Sequence, residues 1–172
     1  VLKTRRFGYD GKGQAKILSK KDADAAWAAM RGQPSIVEGF VTFDREVSVV
    51  AARSLDGAFR AFEVTENEHR NYVLRRSVAP GRMGAQAATE ALETSRRIAT
   101  ALDYVGVFAI EYFAVTIDGR EHVYVNEMAP RVHNSGHWTM DGAETSQFEQ
   151  HIRAIAGWPL GSVRGDGGDC DL

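Results

Sequence analysis

The chain has 172 residues, of which 44% are hydrophobic and 26% are charged. This composition is typical of a globular protein with one sizeable core or two small lobes, and it excludes a disordered chain. The formal net charge of −2 excludes a strongly basic nucleic-acid surface, so a small charged ligand fits better than a polymer.

Cysteine content and the length of apolar runs exclude further classes of protein. The one cysteine, Cys170, excludes an internal disulfide and a thiolate metal cage. Apolar runs stay well short of the roughly 20 residues that cross a bilayer. We therefore expect a soluble, cytoplasmic protein that binds neither nucleic acid nor membrane.

The N-terminal part predicts short strands and one helix. The opening residues 1–3 are typical of the end of a strand, so we expect a preceding segment to be missing. Three glycines within residues 8–14 predict a mobile turn between two short strands. Ser19 followed by Asp22 predicts the start of a helix whose apolar positions continue to Gly32.

The middle of the chain predicts antiparallel sheet. Residues 36–53 are rich in valine and phenylalanine with partial alternation, and a turn at Asp56-Gly57 leads to another strand over 59–64. Residues 65–72 are polar and predict a loop, whereas 73–78 predict a further short strand.

A helix, a hairpin and a long loop follow. Apolar residues at helical spacing predict an amphipathic helix from Ala88 to Leu102. The strands predicted over 105–117 and 122–128 are joined by Asp118-Gly119, a strong hairpin signal. Residues 129–145 lack periodicity and carry many polar groups, which is typical of a functional loop.

The C-terminal part predicts one helix and a tail. Ser146 with Glu149 forms a capping box, and the helix that follows has one apolar face made by Phe148, Ile152 and Ile155. Residues 162–172 have no pattern that could bury a core, so we expect them to be disordered.

Two carboxylates interrupt the predicted hairpin. Glu111 lies in an otherwise apolar run, and Glu127 ends the returning strand beside Asn126. A short turn at Asp118-Gly119 sets Glu111 opposite Glu127 or one step away, with Cβ atoms roughly 5 Å apart. Oxygen-only ligands suit Mg²⁺ completed by phosphate oxygens. Pairing with an arginine across the sheet, or acid and base work on a sugar, are the alternatives.

The segment Gly8-Tyr9-Asp10-Gly11-Lys12-Gly13-Gln14 predicts a phosphate-covering flap. Its glycines let consecutive N–H groups close around an anion, although a plain turn is the alternative. The spacing fits neither the P-loop nor the dinucleotide fingerprint. Lys3 could reach a phosphate and Glu38 could accept from adenine or ribose, unless they are a solvated lysine and an edge-strand charge.

Three motifs carry a family resemblance. They are Leu-Lys-Thr-Arg-Arg-Phe-Gly-Tyr-Asp-Gly-Lys-Gly-Gln from Leu2, Val-Glu-Gly-Phe-Val with Arg-Glu-Val-Ser after it, and Asn-Glu-Met-Ala-Pro-Arg-Val-His-Asn-Ser-Gly-His-Trp-Thr from Asn126. Over about residues 1–161 the chain resembles the 5-(carboxyamino)imidazole ribonucleotide synthases, a family of ATP-grasp ligases.

The resemblance implies an α+β ATP-grasp fold, with two lobes of mainly antiparallel sheet, flanking helices and ATP between them. The small lobe spans residues 1–41 with the flap, and the large lobe spans 42–161 with the metal carboxylates and the substrate loop. The implied reaction is ATP-dependent carboxylation of 5-aminoimidazole ribonucleotide by bicarbonate, giving ADP and phosphate, in de novo purine biosynthesis. The implied metal is Mg²⁺, with Mn²⁺ as an alternative, and the implied parent enzyme is a homodimer.

The resemblance also implies a role for each matching residue. It makes Glu111 and Glu127 the metal ligands. Positions facing the ribonucleotide and the activated carboxylate are Tyr9, Asp10, Lys12, Arg131 and His133, among which Asp10 and His133 are alternative bases. Positions that bind the nucleotide are Lys3, Gly8, Tyr9, Gly11, Gly13, Gln14, Glu38, Val41, Glu46, His69 and Asn126.

Two alternatives to this function stay open. A sister ATP-grasp ligase, such as formate-dependent glycinamide ribonucleotide transformylase, shares the nucleotide site but differs around residues 131–139. The other is a nucleotide-binding fragment without turnover, because we expect the chain to lack the N-terminal lobe and the small C-terminal β domain of the family. From Val163 onward the sequence departs from the family pattern.

Overall fold

The computed structural model describes residues 1–6, 12–71, 73–165 and 170–171. Its contacts divide the chain into two units, Val1–Thr42 with Asn71–Val73 (unit 1) and Phe43–Arg70 with Leu74–Leu172 (unit 2). None of the helices in the described ranges is both long and apolar enough to cross a bilayer.

Unit 1 contains a small antiparallel sheet and one helix. The backbone N–H of Ser19 donates to the carboxylate of Asp22 and starts a single 3-10 turn, as the capping signal predicts. The helix after this turn buries Ala26 and Met30 together with Leu2 of the central strand. The elements are β1 (Leu2–Thr4) at the centre, β2 (Gln14–Ala15) and β3 (Ser35–Val37) beside it, and α1 (Ala23–Ala29).

Unit 2 is built on one large sheet. Its strands run in the order β10-β7-β6-β4-β8-β9, with β5 beside β4. Asp118 and Gly119 both have positive φ, which is the backbone of a tight two-residue hairpin turn and confirms the predicted hairpin. The strands are β4 (Arg45–Arg53), β5 (Phe59–Ala61), β6 (Thr65–Arg70), β7 (Val73–Ala79), β8 (Gly106–Ile117), β9 (Arg120–Ala129) and β10 (Cys170–Asp171).

The two faces of the large sheet bury different layers. On the first face, α2 (Ala85–Ala101) packs its alanines against alternate residues of β4 and β8, including Val49 and Phe108. Ser95 of α2 also shares a 2.7 Å hydrogen bond with the buried hydroxyl of Tyr112. On the second face, Trp138 packs with residues of the opposite parity: Val50, Ala52, Phe62, Ala79, Val107, Ala109 and Ala129.

Two predictions about strands were wrong. Residues 65–72 were predicted as a loop, but Thr65–Arg70 forms β6, because its buried polar residues Thr65 and Asn67 find hydrogen-bond partners inside the fold. Residues 36–53 were predicted as continuous sheet, but β3 and β4 belong to different sheets and are separated by seven residues without strand structure, 38–44.

The long polar segment after β9 is more ordered than a loop. It contains a 3-10 turn at Asn134–Gly136 and the short helix α3 (Thr139–Gly142). The last helix, α4 (Gln147–Ile155), begins at the predicted cap, where the Ser146 hydroxyl accepts from the backbone N–H of Glu149.

The buried face of α4 is the reverse of what its apolar pattern suggests. Phe148, Ile152 and Ile155 are exposed, whereas the residues fully buried against the sheet are Gln147, Gln150 and Ala154. The glutamines are inside because their amides bond to backbone groups. Gln150 both donates to the carbonyl of Gly161 and accepts from its N–H, at 2.7 and 3.0 Å.

The C-terminal segment differs from the expected disordered tail where it is described. Val163 packs against the layer around Trp138. The backbone of Glu144 donates to Arg164, and β10 pairs with β7. These contacts use backbone groups and one apolar side chain, which a polar composition does not reveal.

The reversed polarity of α4 predicts an unusual pair of mutational effects. Gln150→Ala leaves the partly buried N–H and carbonyl of Gly161 without hydrogen-bond partners and should lower the free energy of unfolding by about 2–5 kcal/mol. Ile152→Ala removes a side chain that is already half exposed and should cost less than about 1 kcal/mol. Urea denaturation at constant m-value measures both changes. A larger loss for Ile152→Ala than for Gln150→Ala would contradict the packing of α4.

Candidate functional site

The second face of the large sheet changes from apolar to polar along its strands. On β4 it passes from Ala52 and Val50 to Ser48 and Glu46, and on β8 from Ala109 to Glu111. Ser48 and Glu111 are direct partners in the antiparallel register. Residues that lie opposite each other share a face, so these polar side chains gather at one end of the layer.

A β-bulge brings the second carboxylate to this end. Tyr112 pairs with Val125 and Glu111 pairs with Glu127, which leaves Asn126 as the extra residue on β9. With strict alternation Glu127 would share the face of Val125 and point toward α2. The bulge instead turns Glu127 to the face of Glu111, and it confirms the predicted pairing of the two glutamates.

Glu111 is held by a histidine. His133 Nε2 lies 2.9 Å from Glu111 Oε1, and both side chains are largely buried. Burial raises the pKa of Glu111, but the hydrogen bond from His133 and the positive charges of His69 and Arg131 outweigh burial and hold the pKa below its ordinary value. Glu111 is therefore ionised at neutral pH.

A second acid and histidine pair lies on the same face. His69 Nδ1 lies 2.7 Å from Glu46 Oε2 across β6 and β4. This hydrogen bond raises the pKa of His69, against the lowering effect of burial, and the charges of Glu46, Glu111 and Glu127 act in the same direction as the bond. We call Glu46, His69, Glu111, Glu127 and His133 the carboxylate cluster.

Around the carboxylate cluster are buried polar residues that sequence reasoning missed. They are Ser48, Asn67, Ser77, Ser135 and Gln147. Gln147 accepts from the backbone N–H of His133 at 2.9 Å and donates to its carbonyl at 2.8 Å. A Cβ on Gly136 would lie 2.8 Å from Gln147 Oε1, so any larger residue there would displace the amide that bonds to His133. The available signal was Ser48, a lone hydroxyl in a run of valines.

Unit 1 brings two other predicted residues together. Lys3 Nζ lies 2.7 Å from Glu38 Oε2, and both side chains are partly exposed. The termini of β1 and β3 fix this geometry, because Glu38 N–H donates to the carbonyl of Val1. Gln14 is the direct partner of Lys3 on β2, and Gly13 next to it has positive φ.

The structure gives fewer contacts for the remaining predicted site residues. Arg131 is exposed just after β9, where its Nη1 donates to the carbonyl of Val132, and its charge reaches Glu111. Val41 is half-buried and Lys12 is exposed, both in unit 1. Four predicted positions lie outside the described residues: Gly8, Tyr9, Asp10 and Gly11. The roles assigned to all these residues stay predictions.

The donor set at Glu111 and Glu127 fits a magnesium ion. Mg²⁺ in nucleotide sites is held by one or two carboxylates, and phosphate oxygens and water complete its shell. Within the described ranges no group of three or more His, Cys, Asp or Glu is arranged as a metal cage. Two carboxylates at one polar end of the sheet match a nucleotide-type Mg²⁺ site, in which the substrate supplies the other ligands.

Comparison with known protein families decides the fold family. Residues 1–148 match the ATP-grasp domain. The chain belongs to the ATP-grasp family. This confirms the predicted fold class, an α+β protein of mainly antiparallel sheet with flanking helices.

Relatives of known sequence and structure agree with this family. The chain is 49% identical over 165 residues to the N5-carboxyaminoimidazole ribonucleotide synthase of Brucella melitensis, covering 95% of this chain and 45% of that protein. It matches the crystal structure of the N5-carboxyaminoimidazole ribonucleotide synthetase of Thermus thermophilus with a TM-score of 0.86 at 45% identity, covering 99% of this chain and 44% of that one.

A third match is to a complex. The Aspergillus clavatus N5-carboxyaminoimidazole synthase, solved with ADP and 5-aminoimidazole ribonucleotide, superposes with a TM-score of 0.80 at 28% identity, covering 93% of this chain and 40% of that one. The ATP-grasp chain thus spans less than half the length of these relatives.

The Glu46–His69 pair predicts a pH effect. NMR titration should give His69 a pKa above the roughly 6.5 of an unperturbed histidine, and Glu46→Gln should lower it. Because the folded pKa exceeds the unfolded one, the pair stabilises the fold fully below about pH 6.5, and this stabilisation is lost as the pH rises through the folded pKa.

The control for this titration is Glu68→Gln, which neutralises an exposed carboxylate on the same strand. It should leave the pKa of His69 where it was. An ordinary pKa for His69 in the unmodified chain, or equal responses to the two substitutions, would show that Glu46 does not hold the histidine.

Proposed function

We propose that this ATP-grasp chain is the nucleotide-binding core of a ligase that carboxylates 5-aminoimidazole ribonucleotide with bicarbonate. The products are N5-carboxyaminoimidazole ribonucleotide, ADP and phosphate, a step of de novo purine biosynthesis. The observation that carries the proposal is the pairing of Glu111 with Glu127 on the strand that leads directly into Arg131 and His133. Identity of 49% to a synthase of that name supports it.

We assign nucleotide binding to residues that the family resemblance singled out. In unit 1 we assign Lys3 to phosphate oxygens and Glu38 to the adenosine part, and their 2.7 Å ion pair keeps both side chains in place. In unit 2 we assign Glu46 and His69 to the nucleotide, and Glu111 with Glu127 to Mg²⁺. The metal would neutralise charge on the phosphates.

Charge placement suits transfer of a phosphoryl group to bicarbonate. Bicarbonate is a weak electrophile, and its activation to an acyl phosphate spreads negative charge over the transferring group. Arg131 follows the end of β9, four residues after Glu127. Its cation therefore lies beyond the two carboxylates that we assign to the metal. A preorganised cation at that point stabilises the developing charge. The amine of the ribonucleotide then attacks the activated carboxyl carbon, the bond from that carbon to the phosphate oxygen breaks and releases phosphate, and the amine loses a proton.

The setting of the whole protein belongs to the same proposal. The ligands are small molecules, namely ATP, bicarbonate and the ribonucleotide, and nucleic acid and membrane play no part. We place the enzyme in the cytoplasm and propose that the parent protein is a homodimer. Sedimentation of the full-length protein tests its oligomeric state.

The paired carboxylates predict that the effect of Glu127→Gln on ATP binding depends on Mg²⁺. With Mg²⁺ present, Glu127→Gln should weaken ATP binding to the chain by roughly tenfold or more, because a metal ligand loses its charge. Without Mg²⁺ the same substitution should leave ATP binding equal or tighter, because a carboxylate no longer repels the phosphates. Titration calorimetry in magnesium and in chelator measures both.

The matched control is Glu90→Gln, an exposed carboxylate on α2. It should change neither titration. If Glu127→Gln acts equally in magnesium and in chelator, the two glutamates do not form a metal site.

The reaction itself is tested in a chimera. The segment of the Brucella melitensis relative that matches this chain is replaced by residues 1–161. Phosphate release should then require bicarbonate and rise with 5-aminoimidazole ribonucleotide, whereas formate with glycinamide ribonucleotide should give none. Arg131→Ala should lower turnover roughly a hundredfold or more and leave ATP affinity nearly unchanged.

The control in the chimera is Arg97→Ala, an exposed arginine on α2 that should leave turnover unchanged. Use of formate in place of bicarbonate would assign the chain to a sister ligase. A loss of ATP affinity as large as the loss of turnover in Arg131→Ala would remove that arginine from the transfer step.

A further inference from the structure

A chain of hydrogen bonds runs through unit 2 beneath the carboxylate cluster. Ser77 Oγ on β7 lies 2.8 Å from Asn67 Oδ1 on β6, and Asn67 Nδ2 lies 2.9 Å from Ser48 Oγ on β4. Ser48 Oγ lies 2.7 Å from Ser135 Oγ, which in turn lies 2.8 Å from His133 Nδ1. The chain therefore crosses three strands and ends on the imidazole that contacts Glu111.

Each proton in this chain has one consistent direction. An amide NH₂ only donates, so Ser48 accepts from Asn67 and must turn its own proton to Ser135. Ser135 then turns its proton to His133 Nδ1. The backbone N–H of Ser135 also points at this nitrogen, at 3.3 Å. Two donors facing Nδ1 make it an acceptor, so the neutral ring carries its proton on Nε2.

Burial makes this direction costly to break. Ser48 and Ser135 are 0% exposed, Ser77 is 2%, Asn67 is 7% and His133 is 8%. A buried polar atom that loses its partner has no water to replace it. The alternative histidine tautomer would set a donor against a donor at Ser135 and would leave Glu111 without its donor.

We propose that Ser77, Asn67, Ser48 and Ser135 are positioning residues that hold His133 as the Nε2–H tautomer. In that form His133 donates to Glu111 Oε1 and leaves Oε2 for a metal. It also places His133 as an orienting group for Glu111, with the base of the reaction elsewhere. This role in metal binding rests on the proposed function, whereas the tautomer itself is a property of the free chain.

The tautomer is measured directly in the 172-residue chain without nucleotide or metal. Two-bond ¹H–¹⁵N correlation spectra distinguish a protonated ring nitrogen from an unprotonated one, and the chain has five histidines. The His133→Gln variant assigns the signals of His133 by their disappearance. In the unmodified chain we expect Nδ1 of His133 to be the unprotonated nitrogen.

The decisive variant is Asn67→Asp, which has the same shape but turns the donor at the head of the chain into an acceptor. Ser48 should then point to residue 67 and Ser135 to Ser48, so Nδ1 of His133 should become protonated. Adding Ser48→Ala cuts the chain between residues 67 and 135, and the double variant should return Nδ1 to the unprotonated state. A response to the buried charge alone would persist in the double variant.

The control is Ser95→Ala, which removes a buried serine on the opposite face of the sheet and should leave the His133 signals unchanged. If Asn67→Asp does not fold, Ser135→Ala removes the closest donor and should give a mixture of tautomers. A protonated Nδ1 in the unmodified chain, or an Nδ1 signal that none of the chain variants moves, overturns the proposal. These outcomes do not depend on whether the chain serves a carboxylase.

Discussion

Glu111 carries a negative charge into a strand whose neighbours from Val107 to Ile110 are fully buried, and much of unit 2 follows from how that charge is compensated. Compensation by His133 requires the segment after β9 to fold back over the sheet. Gln147 then fixes the backbone of His133, which is why a glutamine of α4 occupies a core position. The predicted substrate loop is thus a structured segment that packs its His133 against Glu111.

The bulge at Asn126 changes which residues of β9 face each side of the sheet. Val123 and Met128 of β9 both pack against the α2 layer, although they are five residues apart and strict alternation would place them on opposite faces. One extra residue between them restores the alternation, so Glu127 lies on the face of Glu111. A position for Glu127 opposite Glu111 or one step away was predictable, because the two-residue turn at Asp118-Gly119 limits the register. The bulge was not, because an extra residue leaves no mark in composition.

Sequence reasoning succeeded where one signal decided the structure. The helix around Ala91 and Ala99 followed from its period, and the hairpin from its turn. It failed at α4 because helical spacing shows which residues share a face without showing which face is buried; Gln150 is inside because the backbone of Gly161 needs its amide. It failed at β6 because Asn67 is polar, and only the folded chain supplies Ser48 and Ser77 as its partners.

Stability alone does not account for the buried polar chain that ends on His133. Replacing the whole satisfied chain of Ser77, Asn67, Ser48 and Ser135 by apolar residues of similar shape is nearly neutral, because a hydrogen bond exchanged with water contributes only about 1 kcal/mol net. An apolar core at this end of the sheet would fold as well. It would, however, leave Nδ1 of His133 with only the 3.3 Å backbone N–H of residue 135 as a donor, which holds the tautomer that donates to Glu111 less firmly. The polar chain is therefore best explained by the orientation of a single imidazole toward Glu111.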